Sequence, residues 1–406
     1  MPFLGITDLS AIKFWLSYKA IRYAFFYVLF SFFISFWVYT LYGHHWQSGV
    51  RHLKRALSLI CIILILYSTV EVGYLCGSDL CRDILMQINP LYMKIKSSHG
   101  WWPPLLWPSL QLRSMFPEPS YFGIFSSMAI PFFVYDFYNK QISEPNSLFK
   151  MILGGLIYTC LVAMLVMSKA RTGLLLYSGE LLLFLCWGLY YRLYQWKRTL
   201  LLLICTGMAF LIGLGGISQF KSLDSQVTPS TRSVSVESYV NDNMKSVVGN
   251  SRSNNARRAN VLATFRTGLD HPLFGVGINM RKEEVAAHLT SDEKKDGEIS
   301  LWLKYMNEKG PLKSGFPNLN QFSVVFAEQG VIGLLLFLLP LGYITFLLIK
   351  NRYLLRDSRI ACLCITLIGL VTAFFSNGAK LEFYIVMGLL FSALLNYGGK
   401  DEIDNE

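Results

Sequence analysis

The chain has 406 residues, 53% of them hydrophobic and 15% aromatic, with 37 Lys and Arg against 26 Asp and Glu. A water-soluble core of this length does not need so much apolar side chain, so the composition excludes an ordinary soluble domain and points to the bilayer as solvent. The formal charge of +11 then bears on orientation across a membrane rather than on nucleic acid.

Nine apolar runs come close to or exceed the ~17 to 25 residues needed to cross a bilayer as helix: 21–41, 55–76, 121–138, 151–167, 174–194, 200–217, 322–349, 360–375 and 381–397. Helices are required because backbone groups in lipid must satisfy one another. The expected fold is an all-α polytopic membrane protein of about 9 to 11 transmembrane helices with a large, partly helical periplasmic loop. Residues 3–18 are less hydrophobic and suit an interfacial or extra helix. Nine spans put the N-terminus outside, whereas Lys13, Lys19 and Arg22 favour the inside. The first 20 residues lack the apolar core and small-residue cleavage site of a signal peptide.

The short connections 44–54, Lys197-Arg198 and 350–359 are basic and fall on one side of the alternating spans, which assigns that side to the cytoplasm. The long segments 77–117 and 218–319 then lie outside. This gives an N-terminal transmembrane bundle at 1–217, a periplasmic loop at 218–320, and C-terminal helices with a cytoplasmic tail at 321–406. Six cysteines lie within spans and read as small apolar fillers. Cys76 and Cys81 sit at the outer edge of the second span, where an oxidising compartment would allow a bridge, although free thiols fit an isolated pair better.

In the first outer segment, Trp101, Trp102 and Trp107 stand among prolines that forbid one regular helix. They suit the lipid headgroup layer or stacking on a sugar ring. In the larger insert, 218–255 reads as irregular. Residues 256–269 form an amphipathic helix, with Val261, Leu262, Phe265 and Leu269 at helical spacing and a stop at His271-Pro272. Further helices are expected at 281–289 and 299–307, separated by a charged loop at 294–298. Gly154-Gly155 and the glycines of 213–216 permit either close helix packing or a lipid groove.

Four features carry candidate chemistry. Glu118, between Pro117 and Pro119 at the mouth of the third span, is either a helix cap favoured by the macrodipole or a rigidly mounted general base. Arg113 and Tyr121 flank it as substrate-binding candidates. Lys169 and Arg171 mark an outer turn, against the inside preference of positive charge, so they serve either lipid phosphate or a substrate. The stretch 245–266 holds Lys245, Arg252, Arg257, Arg258 and Arg266 with no acid, which calls for an anion such as the phosphate of a lipid-linked substrate. Asn320 and Glu328 open the seventh span. No His, Cys and carboxylate spacing suits a metal, no cofactor is implied, and no phosphate-binding loop, dinucleotide fingerprint or serine nucleophile elbow is present.

Taken in order, "EPSYFG" (118–123), "SKARTG" (168–173), "RRANVLATFRTGLDHPLFGVG" (257–277) and "NLNQFSVVFAEQGVIG" (318–333) resemble the O-antigen polymerase and ligase family. The family's Arg, about fourteen residues and "hPl.GvG" is met from Arg257 to Gly277, with Val261 where a Trp is usual. Its His-Asn followed by Glu-x-Gly-x-x-Gly is met by Asn320, Glu328, Gly330 and Gly333, with Leu319 at the histidine. The missing histidine and the "EPSYFG" run favour a polymerase over a ligase that caps lipid A core. The resemblance implies a metal-independent glycosyltransferase in the bacterial inner membrane, with its active site facing the periplasm. It would join undecaprenyl-diphosphate-linked repeat units into a surface polysaccharide for lipopolysaccharide, alongside a chain-length regulator protein. The expected catalytic residues are Glu118, Arg171, Arg257 and Arg258; Lys169, Arg266, Asn320, Tyr121, Arg113 and Glu328 would bind substrate. A lipid-linked-sugar transporter is the reading outside the family, and it would gather charges at mid-membrane. The spans are nearly free of charges, with Glu71, Glu180 and Arg192 as exceptions near or within their ends.

Overall fold

The computed structural model describes residues 19–93, 104–107, 109–138, 147–191, 196–221, 252–310 and 316–397. The protein is an all-α polytopic membrane protein. The first hairpin is Ala20–Val28 (α1), a π-helical turn at Leu29–Ile34, Ser35–Tyr42 (α2) and Trp46–Leu75 (α3). Asp79–Tyr92 (α4) follows, then Pro119–Tyr138 (α5), Ser147–Met167 (α6), Arg171–Tyr190 (α7) and Trp196–Gln219 (α8). The insert contributes Arg252–Asp270 (α9), Arg281–Ala287 (α10) and Gly297–Lys309 (α11). Gln321–Lys350 (α12), Ser358–Ala373 (α13) and Leu381–Leu395 (α14) complete the bundle. Among the described residues, four helical stretches are long and apolar enough to cross a membrane: Ile21–Leu75, Arg171–Tyr190, Trp196–Gln219 and Gln321–Lys350. The apolar stretches Met151–Met167, Ser358–Ala373 and Leu381–Leu395 are shorter.

α5 is the hub. Every residue from 122 to 135 is buried, as a helix that is apolar all round must be. Around it stand α6, α7 and α13, with α3 and α8 behind. Pro119 takes the first helical position, where its missing N–H costs nothing. α5 and α7 approach backbone to backbone, because a Cβ on Gly123 would lie 2.8 Å from Gly173 Cα. Two of the sequence motifs thus meet through their glycines. On the other side of α6, a Cβ on Gly213 would meet Val166 at 2.7 Å and one on Gly216 would meet Met167 at 2.9 Å, so these glycines serve close packing of α6 on α8.

The N-terminal hairpin is pinned to α14. Ser35 Oγ donates to Tyr384 O at 3.0 Å, and Ser392 Oγ donates to Tyr39 O at 3.3 Å. Both helices therefore run the same way, and Ala20 starts at the end of the bundle where α14 starts. Residues 3–18, where an extra helix is expected, lie outside the described residues, as do Trp101, Trp102, Arg192 and Lys245. The thiols of Cys76 and Cys81 are free.

The apolar run expected to form one span at 322–349 is broken. Gly330 has φ 69° and ψ −167°, a conformation only glycine adopts at low cost. The break folds the first part of α12 back on the second. Phe322 and Phe337 would stand about 22 Å apart in a straight helix, yet both rings lie against Phe374, at 5.9 and 5.8 Å. The freed backbone is satisfied by the loop after α9: Val331 N donates to Pro272 O (2.7 Å), while Val276 N and Gly277 N donate to Ala327 O and Glu328 O (both 2.9 Å). The "HPLFGVG" run is the brace of this break.

A candidate glycan-transfer site at the insert end of the bundle

α9 lies alongside the folded-back part of α12, with its small-residue face inward. Ala256, Asn260, Ala263 and Thr267 are buried, and Asn260 Nδ2 donates to Pro317 O at 3.1 Å. That packing fixes the rotation of α9 and turns Arg257 and Arg258 outward. The two arginines line a cavity of about 340 Å³ with Val261, Leu262, Leu319, Asn320, Phe375 and Ser376. Among the described residues neither has an acidic partner within 4 Å. The Asn320 side chain accepts from Ser323 N at 3.0 Å as the N-cap of α12, which fixes its oxygen on the helix and leaves its amide nitrogen as the donor for the cavity.

Residues 374–380, between α13 and α14, join this cavity to Glu118. Phe374 O accepts from Gln321 N at 2.8 Å, and Ala379 N donates to Gln321 Oε1 at 3.1 Å, which holds the loop against the start of α12. Ser376 lines the arginine cavity. Asn377 comes within hydrogen-bonding reach of the Tyr121 hydroxyl, and the Lys380 ammonium sits 3.6 Å from the centre of the Tyr121 ring. Burial pulls Lys380 down to about 8 against the opposing pull of Glu382 and Glu118. The half-buried carboxylate of Glu118 accepts from Ser120 Oγ at 3.1 Å.

Arg171 is brought to the same end by the Gly123–Gly173 contact. It is exposed as the first residue of α7, a position where a cation opposes the helix dipole, so helix stability does not explain it. Lys169, beside it, is half-buried in the left-handed region (φ 52°), and burial lowers its pKa. Glu118, Tyr121, Lys169, Arg171, Arg257, Arg258 and Asn320 thus share one end of the bundle.

The remaining sequence candidates are held elsewhere. Arg113 is buried and donates to the carbonyls of Pro104 and Leu105, both at 2.9 Å, with its guanidinium 5.5 Å from the Trp107 ring centre. Its backbone N and that of Ser114 donate to the Glu71 carboxylate at 3.2 and 2.7 Å, so Glu71 and Arg113 fasten the first outer segment to α3. Arg266 donates to His288 O at 3.1 Å and lies 3.7 Å from Glu293. Glu328 is paired at 3.3 Å with Arg281, which is only 1% exposed. Glu180 is buried in the bundle and accepts from Ser127 Oγ at 2.5 Å. Sequence reasoning missed Arg281, Lys282 (drawn down to about 8 by burial) and Lys380. Arg281 and Lys282 stand in the helix expected at 281–289 but belong to no motif, and Lys380 lies in a connector without one.

Residues 156–338 match the family model described as O-antigen ligase. The matched stretch, under half of the chain, is similar to that family's domain. It runs from α6 past the break at Gly330, so it includes Lys169, Arg171, the arginine cavity up to Asn320, and the brace. Glu118 and the loop at 374–380 fall outside it, and the fold adds them to its polar end. No curated protein and no solved structure matches the chain. The likeness to the O-antigen ligase family and the membrane helices together support a membrane protein of surface-polysaccharide biosynthesis with a function of the O-antigen ligase or polymerase type.

Proposed function

We propose that the protein polymerises lipid-linked oligosaccharide repeat units at the periplasmic face of the inner membrane. In this reading a hydroxyl of the acceptor repeat attacks the anomeric carbon of the growing glycan. The new glycosidic C–O bond forms as the bond to undecaprenyl diphosphate breaks, the hydroxyl proton passes to Glu118, and the diphosphate leaves with the electron pair. Arg257 and Arg258, with Arg171 in support, balance the charge that develops on the leaving group, without a metal ion in the step. Each guanidinium would contribute about 2 to 4 kcal/mol of transition-state stabilisation. Asn320 and Lys169 orient donor oxygens, and Tyr121 offers its ring to the acceptor sugar.

The observation that carries this reading is the loop at 374–380, which touches the arginine cavity through Ser376 and the Glu118 side through Lys380. An acid and a pair of arginines joined in this way suit one bound glycolipid. Ligation onto lipid A core is less favoured, because Leu319, where the resemblance expects a histidine, presents no proton-transfer group to the cavity. A transporter is disfavoured because the cations gather at one end of the bundle. Complementing a strain that lacks the gene separates these readings. Loss of a polymerase leaves lipopolysaccharide capped with single repeat units, whereas loss of a ligase leaves none capped. If Arg257→Ala with Arg258→Ala restored long chains, the diphosphate role of this pair would be wrong.

A further inference from the structure

One line along α9 stays largely exposed, although the Phe265 ring, centred 5.4 Å from that of Phe326, packs in part on α12. Arg258, Leu262, Phe265 and Leu269 recur at intervals of four, three and four residues, so they form a single stripe about 16 Å long. The stripe begins with a cation and continues apolar. Leu262, Phe265 and Leu269 are 38%, 47% and 56% exposed, although the opposite face of the helix is buried. Packing of the alanine face, not chance rotation, therefore points these side chains outward.

The stripe leads from the arginine cavity to the lipid-facing surface. Leu262 lines the cavity beside Arg257 and Arg258. At the far end, Ile332 N donates to Leu273 O at 3.4 Å, which sets the exposed Leu273 and Phe274 against the start of the second part of α12. That part continues outward with Val331, Ile332 and Leu335, all exposed. A ligand on this path has an anionic head, where two guanidiniums stand free of acids, and a long hydrocarbon tail that descends into the bilayer. Two cations match a diphosphate better than the single charge of a bulk phospholipid phosphate.

We propose that the Leu262, Phe265 and Leu269 stripe of α9 seats the prenyl tail of the diphosphate lipid whose head lies between Arg257 and Arg258. This inference rests on the functional reading above and adds to it the path of the tail. Lipid from the bilayer interior reaches the cavity along α9, and the same helix grips both ends of the molecule.

The test uses the full-length protein in nanodiscs with two probes, undecaprenyl diphosphate and inorganic diphosphate. Leu262→Gln, Phe265→Gln and Leu269→Gln combined keep helix propensity and remove the apolar stripe. The combined variant is expected to bind undecaprenyl diphosphate about a hundredfold more weakly than the parent and inorganic diphosphate equally well. Leu269→Gln alone, at the most exposed of the three positions, should give a smaller loss of the same kind and guards against misfolding of the combined variant. Unchanged binding of undecaprenyl diphosphate by both variants overturns the proposal. So does equal displacement of the probe by phosphatidylglycerol, which would make the stripe a seat for bulk lipid. Arg257→Ala with Arg258→Ala should weaken both probes. If it weakens neither, the diphosphate reading of the cavity fails, while the prenyl dependence can still be read from the stripe variants.

Discussion

Two sets of arginines stand within the same insert and could hardly be more differently housed. Arg281 is buried, paired with Glu328 at 3.3 Å and held by Asn318. Arg257 and Arg258 are exposed on the rim of a cavity, with no acid near them among the described residues. A buried pair is costly to break, because removing one partner leaves the other charge without compensation. A guanidinium pair left without an acid is available to an anion that the protein itself does not supply. One set therefore serves architecture, and the other is the anion site proposed above.

The sharpest way to break this contrast is to remove both exposed cations. Arg257→Ala with Arg258→Ala should cost about 4 to 8 kcal/mol of transition-state stabilisation, reducing glycan chains to single repeats on gels while the membrane level of the protein is unchanged. Arg281→Met should do the reverse. It should lower stability by about 3 to 5 kcal/mol, seen as a lower melting temperature of the purified protein and a lower level in membranes. If Arg281→Met were neutral for stability, or the double variant unstable, the division between the two sets would fall. Glu118→Gln should slow turnover about a hundredfold with a parent-like melt; a change in melting without a change in turnover would make Glu118 a cap only.

The smallest effect concerns Lys380, which faces Glu118, Glu382 and Tyr121. Its ammonium is charged below about 8 and neutral above, and the charged form favours ionised Glu118 and an anionic donor. Polymerisation in membranes should therefore fall a few-fold as pH rises through about 8. Lys380→Arg should hold its activity to higher pH, and Lys380→Met should lose this limb of the profile. A parent profile identical to that of Lys380→Met would remove Lys380 from the site.

The sequence made the membrane class legible because span length and apolarity are set by the bilayer rather than by tertiary detail. It also marked the Arg257, Arg258 and Asn320 neighbourhood, since cations without acids stand out in any insert. The break at Gly330 was not legible, because one glycine in an apolar run is as compatible with a continuous span as with a fold-back. The meaning of "HPLFGVG" was hidden for the same reason: its carbonyls and amides serve a helix defect fifty residues away, and backbone bonds leave no trace in side-chain type. Lys380 needed the tertiary fold to bring residues 374–380 over Tyr121. The pairing of Glu328 with the buried Arg281 also needs the fold, because the two are 47 residues apart in the chain.

The brace at Gly330 has a mechanical outcome. Four main-chain bonds stitch the loop after α9 to both sides of the bend in α12, so the insert cannot swing away from the membrane body like a hinged cover without tearing them. On the proposed reading, a glycolipid would enter and leave sideways, through the plane of the bilayer, and the elongated sugar chain would thread past a fixed wall rather than wait for a door.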